Sequence, residues 1–444
     1  MAKSSTFWNF AWTAGTVGAS SVVRFGLNIV LAHLLVPEIL GVMVVVNSIR
    51  LGIELLSDVG IEQNIIHHAD SLEPRFRDTA WTLQVLRGLM LSTIFAVGAP
   101  LFGAAYGIPA SIFLVASLGP IINSLHSTAI FALVKRLEVR HRSLFELMIE
   151  VIYVVMTIGL AWVWRSVWAP VLGVVLYAAL RTALSYTLPD ARQRFRLDRE
   201  VAMRIIHFGK WIAVTSLVTY AASNVDRLYL GTVVPLGLLG VYGIARTIAE
   251  VPTTLARRIG YQVVFPSLAG ARNAGDLDGR ARIARTRLAF VLVACGGIGA
   301  AASCGDLLIK LVYDPRYLQA GWMVTVLLLG AVFAILSNLN EALLLAGGRP
   351  AYSTYANLLR LGTLAVGVIG GFAVGGMVGT VIAVALAEVC QYGYIAVGQL
   401  RIRQHFWKQD AGAVLAAICL FAALVALRHA LGWGTPMETL RGFA

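Results

Sequence analysis

Three arginines stand inside sequence that is otherwise apolar. Arg24, Arg50 and Arg246 are each flanked by Val, Ile, Leu, Ala and Gly. Arg50 is followed by Glu54 and Asp58 at i+4 and i+8, with Asn47 ahead of it, so the four residues stripe one face of a helix. Arg246 and Glu250 repeat the Arg-x-x-x-Glu spacing, and Asp226 and Arg227 stand side by side upstream of them. A guanidinium is a planar fork that binds two oxygens of a phosphate or carboxylate at once. Neighbouring carboxylates keep an empty site near neutrality and can accept a proton or Na⁺ when an anion leaves. The plainer reading is an ion pair internal to each helix, present for packing. That reading leaves Arg24 unexplained, because its own helix holds no acid nearby.

The elements that hold these charges are apolar helices. Of the 444 residues 58% are hydrophobic and 13% charged, against about 25% charged in soluble domains; the mean hydropathy is +0.77. Runs of roughly 20 apolar residues recur along the chain, the length that crosses about 30 Å of hydrocarbon. The expected class is an all-α polytopic membrane protein. A β-barrel would show short alternating segments instead. Spans are expected at about 10–36, 39–66, 81–106, 109–134, 145–164, 168–189, 206–230, 236–256, 288–312, 319–345, 354–373, 376–399 and 411–431. Arg24, Arg50 and Arg246 then lie about 10 to 14 residues into their spans, which at about 1.5 Å per residue is mid-membrane. A charge at that depth costs at least about 2.5–3.5 kcal/mol unless it meets a partner or a wet cavity.

The net charge of +13 belongs to loops rather than to a nucleic-acid surface, and no nucleic-acid partner is expected. The loops after even-numbered spans are basic, with Lys135, Arg136, Arg140 and Arg142 in one and Arg192, Arg194, Arg196, Arg199 and Arg204 in another. The loops after odd-numbered spans offer little beyond Arg165 and Arg316. The positive-inside rule places the basic loops and the N-terminus in the cytoplasm of a multi-pass inner-membrane protein, with short outside loops. The first apolar run is long and carries Arg24, so no cleaved signal peptide is expected.

The chain also repeats itself. "LLVPEILGV" at 34–42 joins spans 1 and 2, and "VVPLGLLGV" at 233–241 joins spans 7 and 8. An even number of spans separates them, which describes a parallel repeat. The expected organisation is an N-terminal six-helix lobe (1–189), a basic linker (190–204), a C-terminal six-helix lobe (205–399), and a tail (400–444) with one extra helix. The two lobes are expected to flank a central cleft with any site near mid-membrane.

Other polar residues are weaker candidates. Asp226 and Arg227 read as a gate, a coupling site or a structural pair. Arg87, Arg181 and Arg360 sit in the inner halves of their spans, where snorkelling to headgroups is an alternative. Asn338, Asn340, Glu341 and Glu388 are candidates for polar helix contacts. His67 and His68, with Glu62 nearby, carry no further ligand pattern, so no metal is expected. The four cysteines lie in apolar stretches without a C-x-x-C pair. "GVIGGFAVGGMVGT" at 367–380 has no Lys-Ser or Lys-Thr after its glycines, so it reads as close packing and a tight turn, not a nucleotide loop.

Several stretches together resemble a known family. They are "LLSDVGIEQNIIHH" closing span 2, "ASNVDRLYLG" followed by "LLGVYGIARTIAEVP" and "VVFPSLA", and "LVYDPRYLQAGWMVTVLLLGAVFAILSNLNEALLLAGGRPAYSTYANLLR" over spans 9 to 11. In order and spacing they are similar to the bacterial polysaccharide flippases, the Wzx-type or PST family of the MOP superfamily. The resemblance covers roughly residues 10–400. It implies two six-helix lobes around a V-shaped cleft, alternating access, and a cargo of undecaprenyl-diphosphate-linked oligosaccharide repeat units for O-antigen, capsule or exopolysaccharide. It implies cationic lumen residues facing the lipid diphosphate, a role that Arg24, Arg50 and Arg246 match by depth. Glu54, Asp58, Glu250 and Asp226 become candidates for charge balance or for coupling to H⁺, Na⁺ or membrane potential, with no bound cofactor. Membrane lipids, a polysaccharide polymerase and a chain-length regulator are the expected partners. Lipid II flippases and multidrug cation antiporters of the superfamily are alternatives; the antiporter would want acidic lumen groups in place of an arginine trio. A membrane-embedded glycosyltransferase or polymerase would need polar catalytic loops outside the membrane, and the expected outside loops are a few residues long.

Overall fold

The computed structural model describes residues 2–56, 60–136, 138–259, 277–346, 349, 351–401 and 406–441. Among them every regular element is helical. By length and apolar composition seven helices qualify to cross a membrane, or nine when two bent pairs count as one span each. The helices Pro37–Leu56 and Leu236–Ile259 fall outside that set; each carries a mid-helix Arg-x-x-x-Glu.

The chain divides into two compact units. The first comprises residues 1–220 with 231–237, and the second 221–230 with 238–444. The first holds α1 (Ala2–Leu34), α2 (Pro37–Leu56), α3 (Ile61–His67), α4 (Pro74–Tyr106), α5 (Ala110–Ala116), α6 (Leu118–Ser124), α7 (Ala129–Lys135), α8 (Val139–Trp164) and α9 (Trp168–Ser185), with the start of α10 (Arg199–Val233). Packing of α1 on α8 seals Leu27, Leu31 and Leu35 against Ala161 and Ala169. Ile61, Ile65, Phe76, Ile130, Ile149 and Ile205 form a second buried cluster. Both "Val-Pro" turns break their helices in the same way: α1 stops at Leu34 and α2 starts on Pro37, while α10 stops at Val233 and the next helix starts after Pro235. Proline suits such a start, where its missing N–H costs nothing. Gly41 is needed here, because a Cβ would overlap the Leu236 carbonyl.

The fourth expected span, 109–134, is not one helix. It breaks after Ser124 and resumes at Ala129, bent by 53°. The segment "SLHST" (124–128) explains the break, since Ser, Thr and His side chains compete for backbone partners. Ser127 Oγ accepts the Ala129 N–H, and Ser185 Oγ accepts the Ser127 N–H. The freed carbonyls are satisfied from neighbouring helices, as a low-dielectric setting demands. Gln84 Nε2 donates to the Ser124 and His126 carbonyls at 2.7 and 3.0 Å. Thr182 Oγ1 donates to Ile122 O at 2.7 Å, and Tyr186 OH to Leu125 O at 2.7 Å.

The second unit continues with α11 (Leu236–Ile259), α12 (Leu277–Ser303), α13 (Gly305–Val312), α14 (Ala320–Ala346), α15 (Ala351–Arg401), α16 (Trp407–Ala430) and α17 (Glu438–Arg441). The ninth expected span bends by 57° between α12 and α13. In helix α14, 83% of the most apolar window is buried, against 17–33% in the other long apolar helices. It is the central helix of this unit, and α12 and α15 pack on it.

Helix α15 is 51 residues long, about 76 Å if straight, but it folds back on itself. Gly375 and Gly376 leave helical geometry, with Gly376 at φ 55°. Contacts pair Gly371 with Gly379, Gly367 with Ala383, Arg360 with Glu388 and Asn357 with Gln391. All are centred on residues 374–375, so α15 is two antiparallel spans, as the sequence predicts for 354–373 and 376–399. Only glycine allows the two backbones to meet at Gly371 and Gly379.

Helix α16, read above as lying outside the two-fold scheme, is not peripheral to its unit. It packs along α12 and is tied at both ends. Buried Arg287 pairs with buried Asp410 at 2.6 Å, with Asn340 bonded to both. Arg428 grips Asp306 with two nitrogens at 2.8 and 2.9 Å.

Candidate functional site

In the first unit Arg24 meets an acid after all, on a different helix. Its Nε and Nη2 donate to the two oxygens of Glu150 on α8, each at 2.7 Å. The pair is lopsided: the Glu150 side chain is 5% exposed and that of Arg24 63%. One side of the guanidinium is therefore left uncovered by protein. Arg50 bonds Glu54 at 2.7 Å along α2, and both are about one-quarter exposed. Its stem passes over Gly119, and its Nε is shielded without a hydrogen-bond partner. Asp58 lies outside the described residues.

Arg87 does not snorkel; it donates to the Glu54 carbonyl and so clamps α2 to α4. Arg181 likewise turns inward, to Glu146 at 3.0 Å and Asn123 at 3.3 Å. Glu146 and Glu150 are one turn apart on α8 and each takes an arginine from a different helix. A cavity of about 250 Å³ opens among Glu54, Glu62, Gln84, Arg87, Asn123 and His126.

In the second unit Asp226 and Arg227 do not bond each other. Adjacent helical residues point about 100° apart, and each finds its own partner. Asp226, fully buried, accepts from Tyr242 OH and lies 3.5 Å from Arg246 Nε. Arg227 bonds Glu250 at 2.8 Å. Glu250 also lies 3.2 Å from Arg246. Two arginines and two carboxylates thus make one formally neutral box. Arg246 is nearly sealed at 9% side-chain exposure, and Glu250 is its open edge at 42%. The 3.5 and 3.2 Å contacts are ion pairs rather than hydrogen bonds, since Arg246 Nε has no hydrogen-bond partner.

Arg360, for which snorkelling was the alternative, bonds Glu388 at 2.6 and 3.0 Å across the α15 hairpin. Asn338 and Glu341 are half-buried on α14, while neighbouring Asn340 belongs to the Arg287–Asp410 network. Among the described residues no cluster of His, Cys, Asp and Glu could hold a metal ion.

The partners missed from sequence are Glu146, Glu150, Tyr242, Arg287, Asp306, Asp410 and Arg428. The signal for Glu150 was present: a mid-membrane arginine with no acid on its own helix demands one from another. The pairing itself needs the fold.

A family model described as polysaccharide biosynthesis protein matches residues 30–321, about two-thirds of the chain. The teichuronic acid biosynthesis protein TuaB of Bacillus subtilis (strain 168) is 22% identical over 306 residues. That alignment covers 68% of this chain but 63% of TuaB, so the chain spans less than two-thirds of that relative. The lipopolysaccharide biosynthesis protein WzxC of Escherichia coli (strain K12) is 23% identical over 407 residues, 87% of this chain and 79% of WzxC. The lipid II flippase MurJ, in an inward closed conformation, superposes with a TM-score of 0.72 at 13% identity, covering 92% of this chain and 91% of MurJ. An inward-facing multidrug resistance transporter of the MATE family superposes with a TM-score of 0.66 at 13% identity, over 86% of this chain and 94% of the transporter. The structural likenesses show that the chain shares the all-α fold of these two proteins. With residues 30–321 matching its model, this chain belongs to the polysaccharide biosynthesis protein family.

Proposed function

We propose that the protein is a flippase. It carries undecaprenyl-diphosphate-linked oligosaccharide repeat units from the inner to the outer leaflet of the bacterial cytoplasmic membrane, by alternating access, for O-antigen, capsule or exopolysaccharide synthesis. The observation that carries the reading is the open bidentate fork of Arg24 on buried Glu150, in a family of polysaccharide biosynthesis proteins. A mid-membrane cation held rigid on one side and open on the other suits a lipid diphosphate. Arg50, beside Glu54 in the first unit, is a second contact for such a cargo; Arg246, in the second unit, becomes available to an anion when Glu250 lets go. The protein is a transporter and does no covalent chemistry on the cargo. Glu54 and Glu250 balance charge and couple transport to H⁺, Na⁺ or membrane potential. The N-terminus and the basic loops face the cytoplasm. A polymerase and a chain-length regulator act with it in the same pathway.

The test is polymer export, normalised to membrane abundance, in Arg→Lys and Arg→Ala variants at the three positions. Alanine should abolish export per molecule, and lysine, which keeps the charge and loses the fork, should fall between. Normal export per molecule from all three alanine variants would overturn the cation site.

A further inference from the structure

We propose that the basic segment between α9 and α10, within the first unit, is a built docking ladder for anionic phospholipid headgroups. Helix α9 ends at Ser185 and α10 begins at Arg199. Between them Asp190 turns the chain at φ 58°, and residues 191–198 run without helix along the first turns of α4. The run is pinned at every second residue. The N–H of Arg194 donates to Asp78, that of Arg196 to Thr82 and that of Asp198 to Thr79, at 3.1, 3.0 and 3.2 Å. The Ala191 carbonyl accepts from Ser127 Oγ at 2.8 Å. Period-two pinning is strand geometry, in which alternate side chains share a face about 6.6–6.8 Å apart. Arg192, Arg194 and Arg196 therefore share one face.

All three arginines are exposed, and none has an acidic partner among the described residues. That is unlike their neighbours: Arg75 is held by Asp198, Arg136 by Asp190, Arg142 by Glu62 and Arg204 by Asp70. Those four acids are already committed, which leaves the three arginines without a countercharge. Interleaved with them are Phe195 and Leu197, 71% and 58% exposed. Phe195 leans edge-on against Trp81, with ring centroids 4.8 Å apart. Three arginines on one face of the run, with exposed apolar side chains on its other face, fit the headgroup boundary of a bilayer, where anionic and apolar surfaces meet. Beside the run a cavity of about 460 Å³ lies among Tyr186, Leu188, Arg77 and Arg192. Asp78 and Asp190 also line it, and each is occupied, by the Arg194 N–H and by Arg136. Arg77, on the cavity wall, donates to the Asp190 carbonyl and so holds the turn in place.

The ligand is the phosphodiester of a phospholipid such as phosphatidylglycerol. The inference rests on the flippase reading only in putting this end of the molecule at the cytoplasmic leaflet. Its test is independent of both orientation and transport. The full-length protein is placed in phosphatidylcholine nanodiscs titrated with phosphatidylglycerol, and retained lipid is counted by native mass spectrometry. The triple variant Arg192→Gln/Arg194→Gln/Arg196→Gln should lower the apparent affinity for phosphatidylglycerol on the order of a hundredfold. The triple lysine variant should retain most of it, and added salt should weaken the wild type. The pinning bonds use backbone N–H groups, so the fold survives these changes. Phosphatidylglycerol retention unchanged in the glutamine variant would overturn the proposal. So would displacement of phosphatidylglycerol from the ladder by undecaprenyl diphosphate, because the surface would then belong to the cargo.

Discussion

Replacing Arg24 by alanine removes one side of a pair whose halves sit in different surroundings. Glu150 is 5% exposed and would be left as a buried carboxylate, whereas Arg24 is 63% exposed. Breaking a fully buried pair costs about 3–5 kcal/mol. Arg24's exposure brings the cost to the floor of that range or below it, about 2–3 kcal/mol. For a unit of this size that lowers the melting temperature by about 5–10 °C. The reverse change, Glu150→Gln, leaves a cation that is already 63% exposed; in a water-filled cleft it should cost about 1 kcal/mol or less. The double variant Arg24→Ala/Glu150→Gln removes the orphaned charge and should recover most of the loss. Export is where cargo contact and packing diverge. With cargo contact at Arg24, the double variant regains thermal stability in detergent and membrane abundance but not export per molecule. A double variant that regains both would refute cargo contact at Arg24 and reduce the pair to packing.

The clamp between α12 and α16 should be essential: Asp410→Ala orphans the buried Arg287, at a cost of about 3–5 kcal/mol, visible as lost membrane abundance on immunoblots. Glu250→Gln should leave protein level intact and change how transport depends on pH or Na⁺, while Asp226→Asn, inside the seal, should lower protein level; ion dependence unchanged in both Glu54→Gln and Glu250→Gln would leave those acids as structural partners. For topology, a single cysteine at Arg199 should be protected from an impermeant thiol reagent in intact cells and one at Arg165 labelled; the opposite pattern would invert the orientation. The Asp198 carboxyl is held down to about 2 by the Arg75 guanidinium and by the Val201 and Glu200 N–H groups. A depressed acid contributes fully above its ordinary value near 4 and loses that contribution as pH falls through about 2, so residues 191–198 should resist pepsin near pH 4 and become cleavable near pH 2.

Much of the architecture was legible because apolar length and loop charge are one-dimensional signals. Each expected span has a described helix over it, and even the turn inside α15 was marked by its glycines. The breaks were harder. Span 4 reads as apolar from 109 to 134, and only the placement of Gln84, Thr182 and Tyr186 shows how its freed carbonyls are satisfied. Pairs within one helix, Arg50 with Glu54 and Arg246 with Glu250, follow from i,i+4 spacing. Pairs across helices do not. Arg24 and Glu150 are separated by 126 positions, and nothing local to either names the other. Asp226 and Arg227 misled for the opposite reason, since adjacency in sequence suggests a bond that helical geometry forbids.

The charge arrangement itself bears on how such a carrier can work. Arg24 with Glu150, Arg50 with Glu54, and the box of Asp226, Arg227, Arg246 and Glu250 are each formally neutral. A strongly cationic empty site would be expensive at mid-membrane and would hold a diphosphate too tightly to release it. On the proposed function a neutral pair avoids both, because the cargo's phosphates would exchange with a carboxylate rather than fill a vacancy. The exchangeable carboxylate must be the accessible one. In the second unit that is Glu250, bridging two arginines from the open edge, and not Asp226 behind it. A carboxylate displaced in a low-dielectric setting is driven to take up a proton or a cation. On the proposed function, cargo binding and ion uptake would then be linked through the same arginines, with no separate ion site required.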